Sequence, residues 1–145
     1  PVRLDNLVVG VDDSPESLYA LDLAAGIGIN TRATITVVHV RPRPVGLALG
    51  SAGAVEYERA EDDLDTEIAR IAGEHLSTYP GVWTVSVRHG NVAQELLAVA
   101  DSVDADLVVV GHRSRGPVRD AVLGSVAAST VHHTHRNVLV AIPPR

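Results

Sequence analysis

The sequence predicts a three-layer α/β/α sandwich: a five-stranded parallel sheet of order 3-2-1-4-5, covered by helices on both faces. Three observations predict it. Short apolar runs alternate with helical patterns in the order βαβαβαβαβ along 145 residues. The runs L-V-V-G-V and L-V-V-V-G are apolar without alternation, as strands buried on both faces are. A helix-length segment separates successive runs, and right-handed parallel crossovers need such segments.

The first strand is read over residues 4–12 and ends at Gly10 and Asp12. Ser14-Pro15-Glu16 then opens a helix. Ser14 can cap free backbone N–H groups, and Pro15 fits the first turn, where a missing N–H costs nothing. Leu18, Leu21 and Ala25 are its expected apolar stripe. A-T-I-T-V-V-H-V, residues 33–40, is a β-branched second strand. Residues 41–54 carry prolines and glycines and are expected to be irregular. Tyr57, Ala60, Leu64, Ile68 and Ile71 recur at helical spacing, which predicts a long helix. Its acidic run, Glu58 through Asp65, is read as a solvated face.

The third strand alternates over residues 82–90, and a third helix follows over 91–100, with Asn91 and Gln94 in capping-box spacing. Residues 104–111 form the fourth, fully buried strand. A fourth helix runs from Ser125 to about His135. The last strand, Asn137 to Ile142, is closed by Pro143-Pro144.

Length bounds the whole as one domain, residues 1–145. At that size a single core buries roughly 70% of the unfolded surface. There is no cysteine, so disulfides and thiolate metal sites are excluded. No apolar run reaches the ~18 residues of a membrane span, and a cytoplasmic location is expected. A net charge of −6 argues against general nucleic-acid binding. All twelve basic side chains are arginine. Without lysine there is no P-loop, and no G-x-G-x-x-G follows the first strand. A phospho-acceptor receiver domain is rejected as well. Its expected acidic residue after the third strand and lysine after the fifth are replaced by His89-Gly90-Asn91 and Pro143-Pro144-Arg145.

With the order 3-2-1-4-5, the direction of winding reverses between strands 1 and 4. Ligands of open α/β sheets bind beyond the carboxyl ends at that point. Those ends carry Asp12 and Gly111. Gly111 is read as the gap that lets a ligand approach the sheet edge. Gly124-Ser125 opens the fourth helix, whose unpaired N–H groups suit an anion. Arg113, Arg115 and Arg119 supply charge for phosphates. The bland alternative makes the glycines turn residues, the arginines a solvated loop and Asp12 a turn or cap residue beside Ser14. His132, His133 and His135 are read as imidazoles placed well at a helix C-terminus, not as metal ligands. His39 is read as a packed, hydrogen-bonded core histidine. No nucleophile with a base partner is evident, so no catalytic residue is assigned.

V-V-G-V-D-D-S-P-E-S, V-V-H-V-R-P, A-D-L-V-V-V-G and the final G-S-V…N-V-L-V together resemble the universal stress protein domain, over essentially the whole chain. ATP-binding members of that family carry G-x2-G-x9-G-[S/T] after the fourth strand. Gly111, Gly124 and Ser125 fill this pattern here, at intact spacing, with Ser114 in place of the middle glycine. The resemblance implies a Rossmann-like fold and ATP in the predicted crevice, with Mg or Mn held through its phosphates. It places Asp12 and Val40 at the adenine and ribose, with Gly10 near, and Gly111 at the ribose. Ser114, Arg115, Gly116, Gly124 and Ser125 surround the phosphates, and Ser14, Arg113 and Val126 complete the expected cofactor-binding set. The resemblance also implies a homodimer through the last strand, and a stress-response or signalling module that senses ATP. Two other functions stay open: a dimeric stress protein that acts through protein contacts alone, and a slow ATP hydrolase.

Overall fold

A computed structural model describes residues 2–41, 50–112 and 125–144. Along the chain run β1 (Asn6–Gly10), α1 (Pro15–Gly28), β2 (Thr34–Arg41), α2 (Ser51–His75), β3 (Trp83–His89), α3 (Val92–Ser102), β4 (Leu107–Gly111), α4 (Ser125–His133) and β5 (Val138–Ala141). The strands pair in parallel in the order β3-β2-β1-β4-β5. The predicted topology is therefore the observed one.

Two cores lie on opposite faces of the sheet, because successive strand residues point to opposite sides. Leu7, Val9, Ile35, Val37 and Val109 pack with Leu21 of α1 and Ile68 of α2. Val8, Val38, Val40, Val108 and Val110 pack with Leu96 and Val99 of α3 and Ala127 of α4. Val, Leu, Ile and Ala fill both, as a chain without Phe or Met requires.

Several boundaries and faces differ from expectation. β1 stops at Gly10, and Asp12 sits in the turn that follows. β4 starts at Leu107, because Asp104 holds a positive φ of 51°. α2 begins at Ser51, inside the stretch expected to be irregular. The last proline there is Pro44, and nothing after Gly50 forbids a helix. The rest of that stretch, residues 42–49, lies outside the described residues. α1 buries Ser17, Ala20, Leu21, Ala24 and Gly28, whereas Leu18 and Ala25 are only half-buried. On α2, Ile68 is buried as expected and Ala60 is exposed; Ala72 and Leu76 complete the inner face. α4 ends at His133.

The small inner face of α1 brings its first turn close to β4. A Cβ on Gly111 would lie 2.7 Å from the Glu16 carbonyl carbon and oxygen and 2.9 Å from the Ser17 nitrogen. Gly111 is therefore required by the protein's own backbone. This corrects the expectation that its missing side chain is left open for a ligand.

Gly111→Ala is expected to cost about 1–3 kcal/mol by overpacking. It would show as a lower urea midpoint at unchanged m-value. Gly26, also in α1, has open space around its missing side chain, so Gly26→Ala is expected to raise the midpoint, by about 0.5–1 kcal/mol of helix propensity.

Candidate functional site

β1 and β4 are fastened at one end and parted at the other. At the amino ends, an Asp106 carboxylate oxygen accepts the N–H groups of Asp5 and Asn6, each at 2.9 Å. The Asp106 N–H donates to the Asn6 carbonyl at 2.8 Å. Pairing then runs from Leu7–Leu107 to Val9–Val109. Beyond it, Val11 N–H donates to the Val38 carbonyl of β2 at 2.9 Å, and His112 N–H donates to the Ala141 carbonyl of β5 at 2.7 Å. Each strand end follows its outer neighbour, and a cleft opens between them.

The cleft holds about 160 Å³, far above the roughly 10–15 Å³ that one water needs. Val38, Val40, Val92, Leu96, Val110 and Val126 make its walls apolar, and Asp12, Ser14, Glu16, Ser17 and His39 add polar groups. Few polar groups on an apolar wall is the usual make-up of a small-molecule site. A Cβ on Gly10 would meet Leu96 methyls at 3.4 and 3.5 Å. That glycine faces α3, while Gly111 faces α1.

The β1–α1 turn forms the rim. Asp12 Oδ1 accepts the Ser14 N–H at 2.8 Å, and the Ser17 hydroxyl lies 2.9 Å from the same oxygen. The Ser17 hydroxyl also accepts the Asp12 N–H at 3.0 Å. The Ser14 hydroxyl accepts the Ser17 N–H at 3.3 Å and caps α1. Asp12 is thus a turn residue as well as a rim residue.

Of the residues singled out in sequence, Gly10, Asp12, Ser14, Val40, Gly111 and Val126 border this cleft together. Ser125 begins α4 beside Val126 but does not line it. Arg113, Ser114, Arg115, Gly116 and Gly124 lie outside the described residues. Sequence reasoning missed Ser17, Val92, Leu96 and Val110. Ser17 was legible as the third residue after a capping serine; the other three read only as core.

Acidic residues of α2 do more than face water, which corrects that expectation. Arg41, 6% exposed, donates from Nε to Asp65 at 3.0 Å and from Nη2 to both Asp62, at 2.9 Å, and Asp65. Glu61 and Glu58 stand 3.6 and 3.7 Å from it. Hydrogen bonds to Asp65, then Asp62, raise its pKa far above the ordinary range, although burial opposes this. His39 is buried, as expected, and its Nδ1 lies 3.1 Å from the Val11 carbonyl oxygen. At the end of α4, His132 and His133 meet edge to face with centroids 4.9 Å apart. His133 Nδ1 turns back to the Ser129 carbonyl at 2.9 Å.

Fold and cleft define a doubly wound α/β domain with an open cleft at its topological switch point. The chain belongs to the universal stress protein family, which it matches over residues 3–141. It is 32% identical to universal stress protein Rv1996 of Mycobacterium tuberculosis, over 92% of this chain and 47% of that protein. The chain thus spans about half the length of the curated relatives it first matches. A universal stress protein solved in complex with cAMP superposes with a TM-score of 0.73 at 26% identity, covering 94% of this chain and 96% of that one. The universal stress protein of Archaeoglobus fulgidus in complex with dAMP superposes with a TM-score of 0.66 at 17% identity, covering 97% and 99%. No helix among the described residues is long and apolar enough to cross a membrane.

Arg41→Met would strip four carboxylates of their shared cation. Since these are partly exposed, the expected loss is about 2 kcal/mol, below the full penalty for breaking a buried pair. Adding Asp65→Leu should recover part of it, measured as urea midpoints in a double-mutant cycle.

Proposed function

We propose that this chain binds an adenine nucleotide in the switch-point cleft and works as a nucleotide-dependent stress-response or signalling module, with ATP as its ligand. The observation that carries the reading is the apolar cleft between the parted ends of β1 and β4. A flat purine suits walls made by Val38, Val40, Leu96 and Val110. The rim supplies polar groups from Asp12 and Ser14 for the sugar edge. Phosphates, with Mg or Mn held through them, fall to Arg113, Ser114, Arg115, Gly116, Gly124 and Ser125 by their place in the motif. A family member in complex with cAMP supports a nucleotide as the ligand class.

β5 lies at the sheet edge with Val138, Leu139 and Val140 half-buried and Ile142 exposed. An apolar edge strand is a template for pairing, and a homodimer through Asn137 to Ile142 is part of the proposal. Among the described residues the Ser17 hydroxyl and the Asp12 carboxylate are engaged with each other and with the rim turn, and the module is read as a sensor without fast turnover. A cytoplasmic location is proposed on the same family grounds.

Calorimetry with Mg-ATP tests the reading. Saturable heat at one site per chain is expected for the wild type. Gly10→Ala adds a methyl that contacts Leu96 at the cleft wall, so it should keep the urea midpoint and weaken binding about tenfold. Gly124→Asp, which sets a negative charge in the phosphate motif, should abolish the heat. A wild type without heat, purified without nucleotide, leaves the protein-contact module; turnover of excess ATP above background establishes the slow hydrolase.

A further inference from the structure

The peptide group that joins Val11 to Asp12 leaves the sheet, and two side chains hold it. β1 pairs with β2 as far as Gly10–Val38 and with β4 as far as Val9–Val109. Beyond that, the Val11 N–H still donates to the Val38 carbonyl at 2.9 Å. In parallel pairing, the main-chain groups of alternate residues face the same neighbouring strand. Gly90 N–H donates to the Arg41 carbonyl, so Arg41 and His39 turn their main-chain groups to β3, and Val38 and Val40 turn theirs to β1. The next rungs would join the Val40 N–H to the Val11 carbonyl and the Asp12 N–H to the Gly111 carbonyl. Neither forms among the described residues.

Side chains take both places. His39 Nδ1 lies 3.1 Å from the Val11 carbonyl oxygen, which only accepts, so Nδ1 carries a proton and donates. The Ser17 hydroxyl accepts the Asp12 N–H at 3.0 Å. Ser17 also serves the rim network, through Asp12 and Ser14. The Val11 carbonyl is the one hydrogen bond that the His39 side chain makes. Its ring is 5% exposed, and Nε2 is buried without a hydrogen-bond partner, with Asp65 Oδ1 3.7 Å away. An unsatisfied buried nitrogen costs stability, so as core filling alone an apolar side chain would serve better here.

The bond to Val11 also decides what Val40 does. Val40 lines the cleft, and with the Val11 carbonyl taken its N–H has no rung to join. Without the imidazole, an unpaired carbonyl and an unpaired N–H would stand at facing ladder positions, and such backbone groups pair when buried. β1 would then zip onto β2 for one rung more, along the margin of the cleft.

We propose that His39 is a positioning residue that stops the β1–β2 ladder at Val11: its Nδ1–H occupies the Val11 carbonyl, withholds it from the Val40 N–H and keeps the cleft open along β2. The bond needs only the Nδ1 proton and is indifferent to the state of Nε2. The consequence for ligand affinity rests on the nucleotide reading above; the consequence for the backbone does not.

Amide exchange of the full chain without ligand, followed residue by residue by NMR, tests the backbone half. In the wild type the Val40 amide should exchange at least about tenfold faster than the Val38 amide, which lies within the ladder. In His39→Leu it should slow to the rate of Val38. His39→Asn, whose side-chain amide can donate from the place of Nδ1, should return Val40 to fast exchange. A Val40 amide already protected in the wild type, or one that stays fast in His39→Leu, overturns the proposal. Should His39→Leu fail to fold, His39→Asn decides: fast exchange of Val40 supports the proposal and slow exchange overturns it. The ligand probe is cAMP. Its Kd should rise about tenfold in His39→Leu and recover in His39→Asn. A Kd that stays unchanged in His39→Leu while the Val40 amide slows overturns the ligand half. Absence of cAMP and ATP binding by the wild type overturns the nucleotide reading, and the amide rates still decide the backbone half.

Discussion

The structure depends on one asymmetry in the pairing of β1 with β4. Asp106 locks their amino ends by accepting two backbone N–H groups, and only three residue pairs follow. After that the backbone of each strand is satisfied by its outer neighbour, β2 or β5. The Val11 and His112 N–H groups are redirected to β2 and β5 and not lost as the cleft opens. The reversal of winding makes this possible. α1 and α2 cover one face and α3 and α4 the other, so the connections leaving β1 and β4 run to opposite faces.

α1 turns that gap into a defined site. Its first turn rests on β4 where Gly111 offers no side chain. The Asp12 carboxylate, the Ser14 N–H and the Ser17 hydroxyl close a small network at the rim. These groups fix the turn first, and whatever the cleft holds meets a preorganised edge. Packing and site geometry share the same atoms here, so a change at Gly111 or Asp12 moves both.

Topology was legible because it follows from element order and handedness, and the switch point follows from topology. Gly10, Asp12, Ser14, Val40 and Val126 were legible for the same reason: they flank strand ends that the order brings together. Gly111 borders the cleft, but α1 fills the space of its missing side chain. A glycine at a strand end looks the same whether a ligand or a helix fills the space, and only the 2.7 Å approach of the Glu16 backbone tells them apart. The role of the acidic run on α2 was hidden because its partner, Arg41, lies 24 residues from Asp65. Charge patterning within one helix cannot register a cation on another element. Leu96 and Val110 carry no polar signal, and apolar cleft walls read as core.

β2 shows how one strand can serve two ends at once. Val38 and Val40 point to the α3 side and form cleft wall. His39 and Arg41 alternate with them and engage Asp65 from α2. A period of two therefore separates an apolar cleft wall from a polar anchor within four residues. A slip of one residue in register would put Arg41 against Leu96 and Val40 among the carboxylates. Burying a guanidinium for stability alone gains little over an apolar replacement. Here it also fixes the register of β2, because the acidic seat on α2 accepts only one of the two faces. The same constraint that holds α2 against the sheet thus keeps the cleft wall apolar.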